Sequence, residues 1–284
     1  MQECRIDERR AARNDCPFAT PAKCNWESAM QKTLISLLCT IFLLCALSAN
    51  TYAALKDTIR FPSEDGLMVT ADLYIEENDK SAPFIILYHQ AGWSRGEYAE
   101  IAPRLNALGF NCIAVDLRSG GKINGVRNHT AHRARQKKKN TSYEHALPDM
   151  LRAIELVKKQ LSSGKVILWG SSYSASLALK IAGDWPDLVD GVLAFAPGEY
   201  FNTHTKTWIQ DSSTHITVPT FITSARNEKP SWSDIFDAIP SKHKTSYLPP
   251  TPGNHGSRAL WKQFPDNGGY WMAVEHFLTS NFKR

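Results

Sequence analysis

From about residue 55 onward the chain alternates two kinds of apolar pattern. Short unbroken runs such as Phe84-Ile-Ile-Leu-Tyr88 and Asn111-Cys-Ile-Ala-Val115 have the length and β-branched content of buried strands. Between them lie stretches whose apolar positions recur every three or four residues. In Tyr143–Leu161 these are Leu147, Met150, Leu151, Ile154 and Leu161, which predicts an amphipathic crossover helix. The same reading gives strands over Asp57–Phe61, Leu67–Ile75, Lys165–Trp169, Leu188–Phe195, Val218–Thr223 and Thr245–Leu248. Further helices are predicted over Tyr98–Leu108, ended by Gly109, over Tyr173–Ala182 and over Tyr270–Phe282. Strands alternating with helices imply an α/β protein with a mostly parallel central sheet and helices on both faces. The first two strands, joined across Ser63-Glu-Asp-Gly66, predict an antiparallel N-terminal hairpin at one edge.

One apolar run fits neither pattern. Met30-Gln-Lys is followed by apolar residues over Leu34–Leu47 and then by Ser48-Ala-Asn-Thr-Tyr-Ala53, with small residues at Thr51 and Ala53. That order of charge, apolar run and small residues is a secretory signal over 30–53, too short for a membrane-spanning anchor. Residues 1–29 precede it and are read either as lying outside a protein that starts at Met30 or as a disordered extension. Residues 54–284 are then a single catalytic domain, secreted or periplasmic, with no stable membrane anchor. Five of the six cysteines precede Ala54, so Cys112 stands alone and no disulfide is expected within the mature chain.

Composition adds little beyond this. A formal charge of +5 from 33 basic and 28 acidic side chains does not suggest a nucleic-acid partner. The basic run Arg133-Ala-Arg-Gln-Lys-Lys-Lys139 reads as a solvated face. His129 and His132 lack further ligands for a metal, and Asp116 ends a strand without the glycine pattern of a dinucleotide site. No metal or organic cofactor is expected, and the sequence leaves the oligomeric state open.

The chemistry concentrates where predicted strands end, the edge at which open parallel sheets form their sites. In Trp169-Gly-Ser-Ser-Tyr-Ser174 a strand meets a helix. A nucleophile on so sharp a turn needs small residues two positions away on each side; Ser172, between Gly170 and Ser174, meets that need, whereas Ser171 has Trp169 behind it. The competing reading is a serine that merely caps the helix. Among nine histidines, His255 in Pro252-Gly-Asn-His-Gly256 follows the last strand in a glycine-flanked loop and is the candidate general base. The acid that orients it is expected after the strand ending near Ser224. Asn227 occupies the counted position, but an amide cannot stabilise an imidazolium by charge, so Glu228 is preferred, with Glu199 the alternative. Backbone N–H groups of Tyr173 and Gln90 are the candidate oxyanion donors, the latter in His89-Gln-Ala-Gly92. Trp93, Tyr173, Tyr200, Phe201, Trp208 and Trp232 are candidates to line an apolar acyl pocket.

Taken together, Leu87-Tyr-His-Gln-Ala-Gly92, Asp116-Leu-Arg-Ser-Gly-Gly121, Gly170-Ser-Ser-Tyr-Ser174 and Gly253-Asn-His-Gly256 resemble the α/β-hydrolase fold, and more closely its dienelactone-hydrolase-like branch. The resemblance implies hydrolysis of an ester or related acyl bond of a small molecule through an acyl-enzyme. Dienelactone hydrolases carry a cysteine where Ser172 stands, so their lactone specificity does not transfer. A small-peptide serine peptidase and a secreted binding protein that kept the fold without turnover are the rival expectations.

Overall fold

The computed structural model describes residues 55–76 and 79–283; the predicted signal segment and the extension before it lie outside them. Among the described residues there are ten strands, β1 (Leu55–Pro62), β2 (Met68–Ile75), β3 (Phe84–Tyr88), β4 (Asn111–Val115), β5 (Lys122–Ile123), β6 (Val126–Arg127), β7 (Val166–Ser171), β8 (Gly191–Phe195), β9 (Thr220–Thr223) and β10 (Lys244–Tyr247). Eight of them form one sheet in the order β1-β2-β4-β3-β7-β8-β9-β10. The expected hairpin is there: β1 pairs antiparallel with β2, and β2 antiparallel with β4, while all pairs from β4 to β10 are parallel. A hairpin needs only the short turn at Ser63–Gly66, where Gly66 takes φ +75°, whereas each parallel neighbour requires a crossover.

The unbroken apolar runs follow from that topology. In β3 every side chain is buried, Phe84, Ile86 and Tyr88 entering one core and Ile85 and Leu87 the other. A strand covered on both faces has no polar side to show. The helices that cover it are α1 (Ile101–Ala107), α2 (His129–Gln136), α3 (Leu147–Leu156), α4 (Tyr173–Asp184), α5 (Trp208–Ser213), α6 (Ser233–Ala238) and α7 (Asn267–Phe282). The helix predicted over Tyr98–Leu108 is split into a 3-10 turn at Arg95–Tyr98 and α1. The one predicted over Tyr143–Leu161 opens as a 3-10 turn, continues as α3 and ends in a π turn at Val157–Leu161. Among the described residues no helix is long and apolar enough to cross a membrane.

The basic run is exposed over residues 135–138, in keeping with a solvated face, but some of its cations also bind backbone carbonyls. Arg133 Nε donates to the Met68 carbonyl at 2.8 Å, Arg135 to the Gly120 carbonyl at 3.1 Å and Lys139 Nζ to the Asp65 carbonyl at 2.9 Å. These cations clasp α2 to the hairpin and to the loop after β4. Nearby, the buried Arg118 bridges Asp149 and Asp65 at 2.7 and 2.9 Å, so the long segment after β4 is tied down by charge as well as by packing.

Candidate active site

Four loops leave the carboxyl ends of β3, β7, β9 and β10, and each carries one of the expected site residues. The sharpest turn follows β7. Ser172 adopts φ 60°, ψ −122°, a conformation that L residues avoid and that costs on the order of 1–3 kcal/mol unless the surroundings enforce it. Here they do. The Ser172 N–H donates to the Phe195 carbonyl at 2.7 Å, and its own carbonyl accepts from Ala175 and Ser176 at the start of α4. A Cβ on Gly170 would sit 2.4 Å from the Ala175 Cα and 2.4 Å from the Ser174 carbonyl oxygen, so only glycine lets helix and strand approach this closely.

The residue two positions after Ser172 proves to be more than small. Ser174 Oγ accepts from the Ser171 N–H at 2.9 Å and donates to the Tyr88 carbonyl at 2.8 Å, which straps the turn to the end of β3. Ser171 and Ser172, adjacent and chemically alike, have separate fates. The Ser171 hydroxyl is fully buried and donates to Glu97 at 2.7 Å, whereas Ser172 is the one presented at the turn.

His255 and Glu228 meet. The His255 Nδ1 lies 2.6 Å from Glu228 Oε1, and the second carboxylate oxygen accepts the Ala225 N–H at 3.1 Å. Since an ionised carboxylate only accepts, Nδ1 carries the proton and Nε2 is left as the free basic nitrogen. The loop that holds His255 is fastened to the serine turn by the Ser257 N–H, which donates to Ser171 Oγ at 2.9 Å. Gly256, at φ 71°, permits that approach, because a Cβ there would lie 2.5 Å from the same hydroxyl. Tyr200 follows β8: its phenol donates to the Ala196 carbonyl at 2.8 Å and is pushed up to about 12, first by burial and then by the nearby Glu228 charge. Asn227 is exposed on the 3-10 turn that follows β9, while Glu228 is turned inward. Glu199 is engaged elsewhere, its carboxylate accepting the Ile209 and Gln210 N–H groups at the start of α5.

The expectation for Gln90 needs correction. Its N–H donates to Oε2 of the buried Glu97 at 2.8 Å, so this amide faces the core and is already taken. The Tyr173 N–H, as the first of α4, has no acceptor within its own helix. Of the aromatic residues expected around an acyl pocket, several pack on neighbours. Trp93 stacks on Trp261 at 5.2 Å, Phe201 meets Trp208 edge-on at 4.9 Å, and the buried Trp232 donates to Ser224 Oγ at 2.7 Å. Tyr173 stacks on the half-exposed Tyr143 at 4.7 Å beside the turn. A cavity of about 770 Å3, lined by Pro83, Gly164, Lys165, Asp190 and Phe282 among others, lies at the opposite end of the strands. Its position at the amino ends of β3 and β7 separates it from this chemistry.

Glu97 was not singled out in the sequence. It sits in Arg95-Gly-Glu-Tyr98, where a charged residue at a helix start is commonplace; only the folding of the distant Ser171 turn and Ser257 loop towards it distinguishes it.

This architecture is the α/β-hydrolase fold. The chain is similar to a dienelactone hydrolase from Anabaena variabilis at 12% identity and TM-score 0.64, covering 81% of this chain and 100% of that one. It is similar also to an esterase from Pyrococcus furiosus (14% identity, TM-score 0.61, 82% and 94% covered). An acetyl xylan esterase from Thermoanaerobacterium matches at 16% identity and TM-score 0.58, with 81% and 85% covered. The sequence model of the serine aminopeptidase S33 family matches residues 79–210. No curated protein matches the chain in sequence.

Proposed function

We propose that this protein is a serine hydrolase that cleaves an ester or related acyl bond of a small molecule. Ser172 is the nucleophile, His255 the general base and Glu228 the acid that orients it. The observation that carries the reading is the 2.6 Å bond between His255 and Glu228 on loops fastened to the strained turn of Ser172. In this mechanism His255 Nε2 takes the Ser172 proton as Oγ attacks the acyl carbonyl, and Glu228 stabilises the imidazolium that forms. The developing oxyanion is held by the Tyr173 N–H and, since the Gln90 amide is occupied, by the next amide of the same loop, that of Ala91. His255 returns the proton to the leaving group, and water, activated by the same nitrogen, releases the acid.

The named esterases among the structural relatives support an ester substrate. The aminopeptidase family match favours a second reading, in which the acyl bond belongs to a short peptide. A fluorophosphonate probe tests the common chemistry: Ser172 is labelled in the wild type, and Ser172→Ala loses labelling together with about 10³-fold or more of the hydrolysis rate. A panel of p-nitrophenyl esters and amino-acid amides then separates the two substrates. Absence of labelling and of turnover on both panels would leave a binding protein. The protein is further read as exported, with a mature chain beginning near Ala54, which the intact mass of the exported form checks.

A further inference from the structure

Glu97 is fully buried, and the mechanism above makes no use of it. Its carboxylate nevertheless receives a donor from each of two loops, and a third loop joins it through one of those donors. The Gln90 N–H from the loop after β3 donates to Oε2 at 2.8 Å, and the Ser171 hydroxyl from the turn after β7 donates to Oε1 at 2.7 Å. The Ser257 N–H, two residues past His255, donates to the same Ser171 Oγ at 2.9 Å, so the histidine loop reaches this carboxylate through that hydroxyl. The Glu97 backbone carbonyl accepts the Trp261 indole N–H at 2.9 Å, which ties the same short helix to the segment beyond His255. A carboxylate that only accepts matches the two donors facing it, and an unmade bond in so dry a place is costly.

The geometry points to Glu97 as the positioning residue that holds the oxyanion loop, the nucleophile turn and the histidine loop in mutual register. This rests on the reading of Ser172 and His255 given above. Ionisation matters to the role, because a protonated carboxyl brings a donor into a ring of donors. Burial raises the Glu97 carboxyl to about 7, against the opposing pull of the Ser171 and Gln90 bonds, the Ser257 N–H and the Arg258 charge. The other titratable groups facing the cluster do not change charge near neutrality. Arginine remains protonated, burial holds Tyr98 and Tyr173 well above the ordinary phenol range, and burial keeps His89, on the Gln90 loop, neutral.

The test is Glu97→Gln, which keeps the shape but sets an amide NH2 against one of those donors. Hydrogen exchange of the Gln90 and Ser257 amides is expected to accelerate about tenfold or more while α7 keeps its protection. The kcat is expected to fall on the order of 10- to 100-fold with KM nearly unchanged. The acid limb of log kcat is expected to become shallower between about pH 5.5 and about pH 8, because one ionisation has been removed. Ser171→Ala, which severs one tie and leaves the charge, is the second variant, and adding it to Glu97→Gln lowers kcat hardly further if both act through one network. Unchanged exchange at both amides overturns the tie, and changed exchange with kcat and pH profile unaltered overturns the positioning role. Ser172→Ala, assayed in parallel, isolates the catalytic reading: if it stays active that reading falls, while the exchange data still decide what Glu97 holds.

Discussion

Adding one methyl group at Gly170 tests how the turn at Ser172 is built, whatever the substrate. The alanine Cβ would stand 2.4 Å from the Ala175 Cα, 2.4 Å from the Ser174 carbonyl oxygen and 2.5 Å from the Ala175 nitrogen. These are backbone atoms, so no side chain can swing aside, and ordinary contact at about 3.5–4.0 Å demands that α4 or β7 retreat by roughly 1 Å. Overpacking of that kind costs about 1–3 kcal/mol. For a domain of this size the melting temperature is expected to drop by roughly 2–12 °C. The same displacement moves Ser172 against His255, and a misplacement of about 1 Å costs on the order of 10²-fold in rate. Calorimetry and ester hydrolysis read the two effects separately. Gly268→Ala is the control: it lies in α7 with nothing within 4 Å of its added Cβ and is expected to be neutral or stabilising by up to about 1 kcal/mol. A Gly170→Ala protein that melts within about 1 °C of wild type and keeps its activity would refute the close approach of strand and helix.

Three further outcomes follow from the site and its surroundings. Glu228→Gln is expected to lower kcat by on the order of 10²–10⁴ with little change in KM, while Glu199→Gln leaves kcat near wild type; steady-state kinetics checks both. Because the Glu97 carboxyl holds its proton to about 7 in the fold but to 4.5 in the unfolded chain, folding takes up a proton between those values. Stability from this group is therefore highest below pH 4.5 and declines by about 3 kcal/mol as pH rises through 7, a decline that urea titrations should find missing in Glu97→Gln. Arg118→Met strands the buried Asp149 carboxylate and is expected to destabilise by about 3–5 kcal/mol in the same titrations.

The parallel strands were legible because burial on both faces leaves an unbroken apolar run, and Phe84–Tyr88 appears with the boundaries its pattern predicts. Ser172, His255 and Glu228 were proposed by counting from strand ends, which fixes where a loop starts. Counting does not fix which way each side chain turns. For that reason Asn227 and Glu228 could be separated only by a chemical argument, and the Gln90 amide was given a direction that its bond to Glu97 contradicts. The short helices α5 and α6, of six residues each, are too brief for a periodicity to show. The hairpin of β5 and β6 had a local signal that went unread: Asn124-Gly125, both at positive φ, is the dipeptide that such two-residue turns favour. Glu97 carried little local signal, since what distinguishes it is its bond to Ser171, 74 residues away, and through Ser171 to Ser257.

Ser174 occupies the position where glycine is the commoner choice, and a protein engineer seeking the consensus motif would be tempted to restore it. That exchange would gain room the helix does not need. It would also delete the only side-chain oxygen with which residue 174 can grip both the Ser171 amide and the Tyr88 carbonyl. The departure from the motif is thus a local solution with its own logic, and regularising it is expected to loosen the turn it was meant to improve.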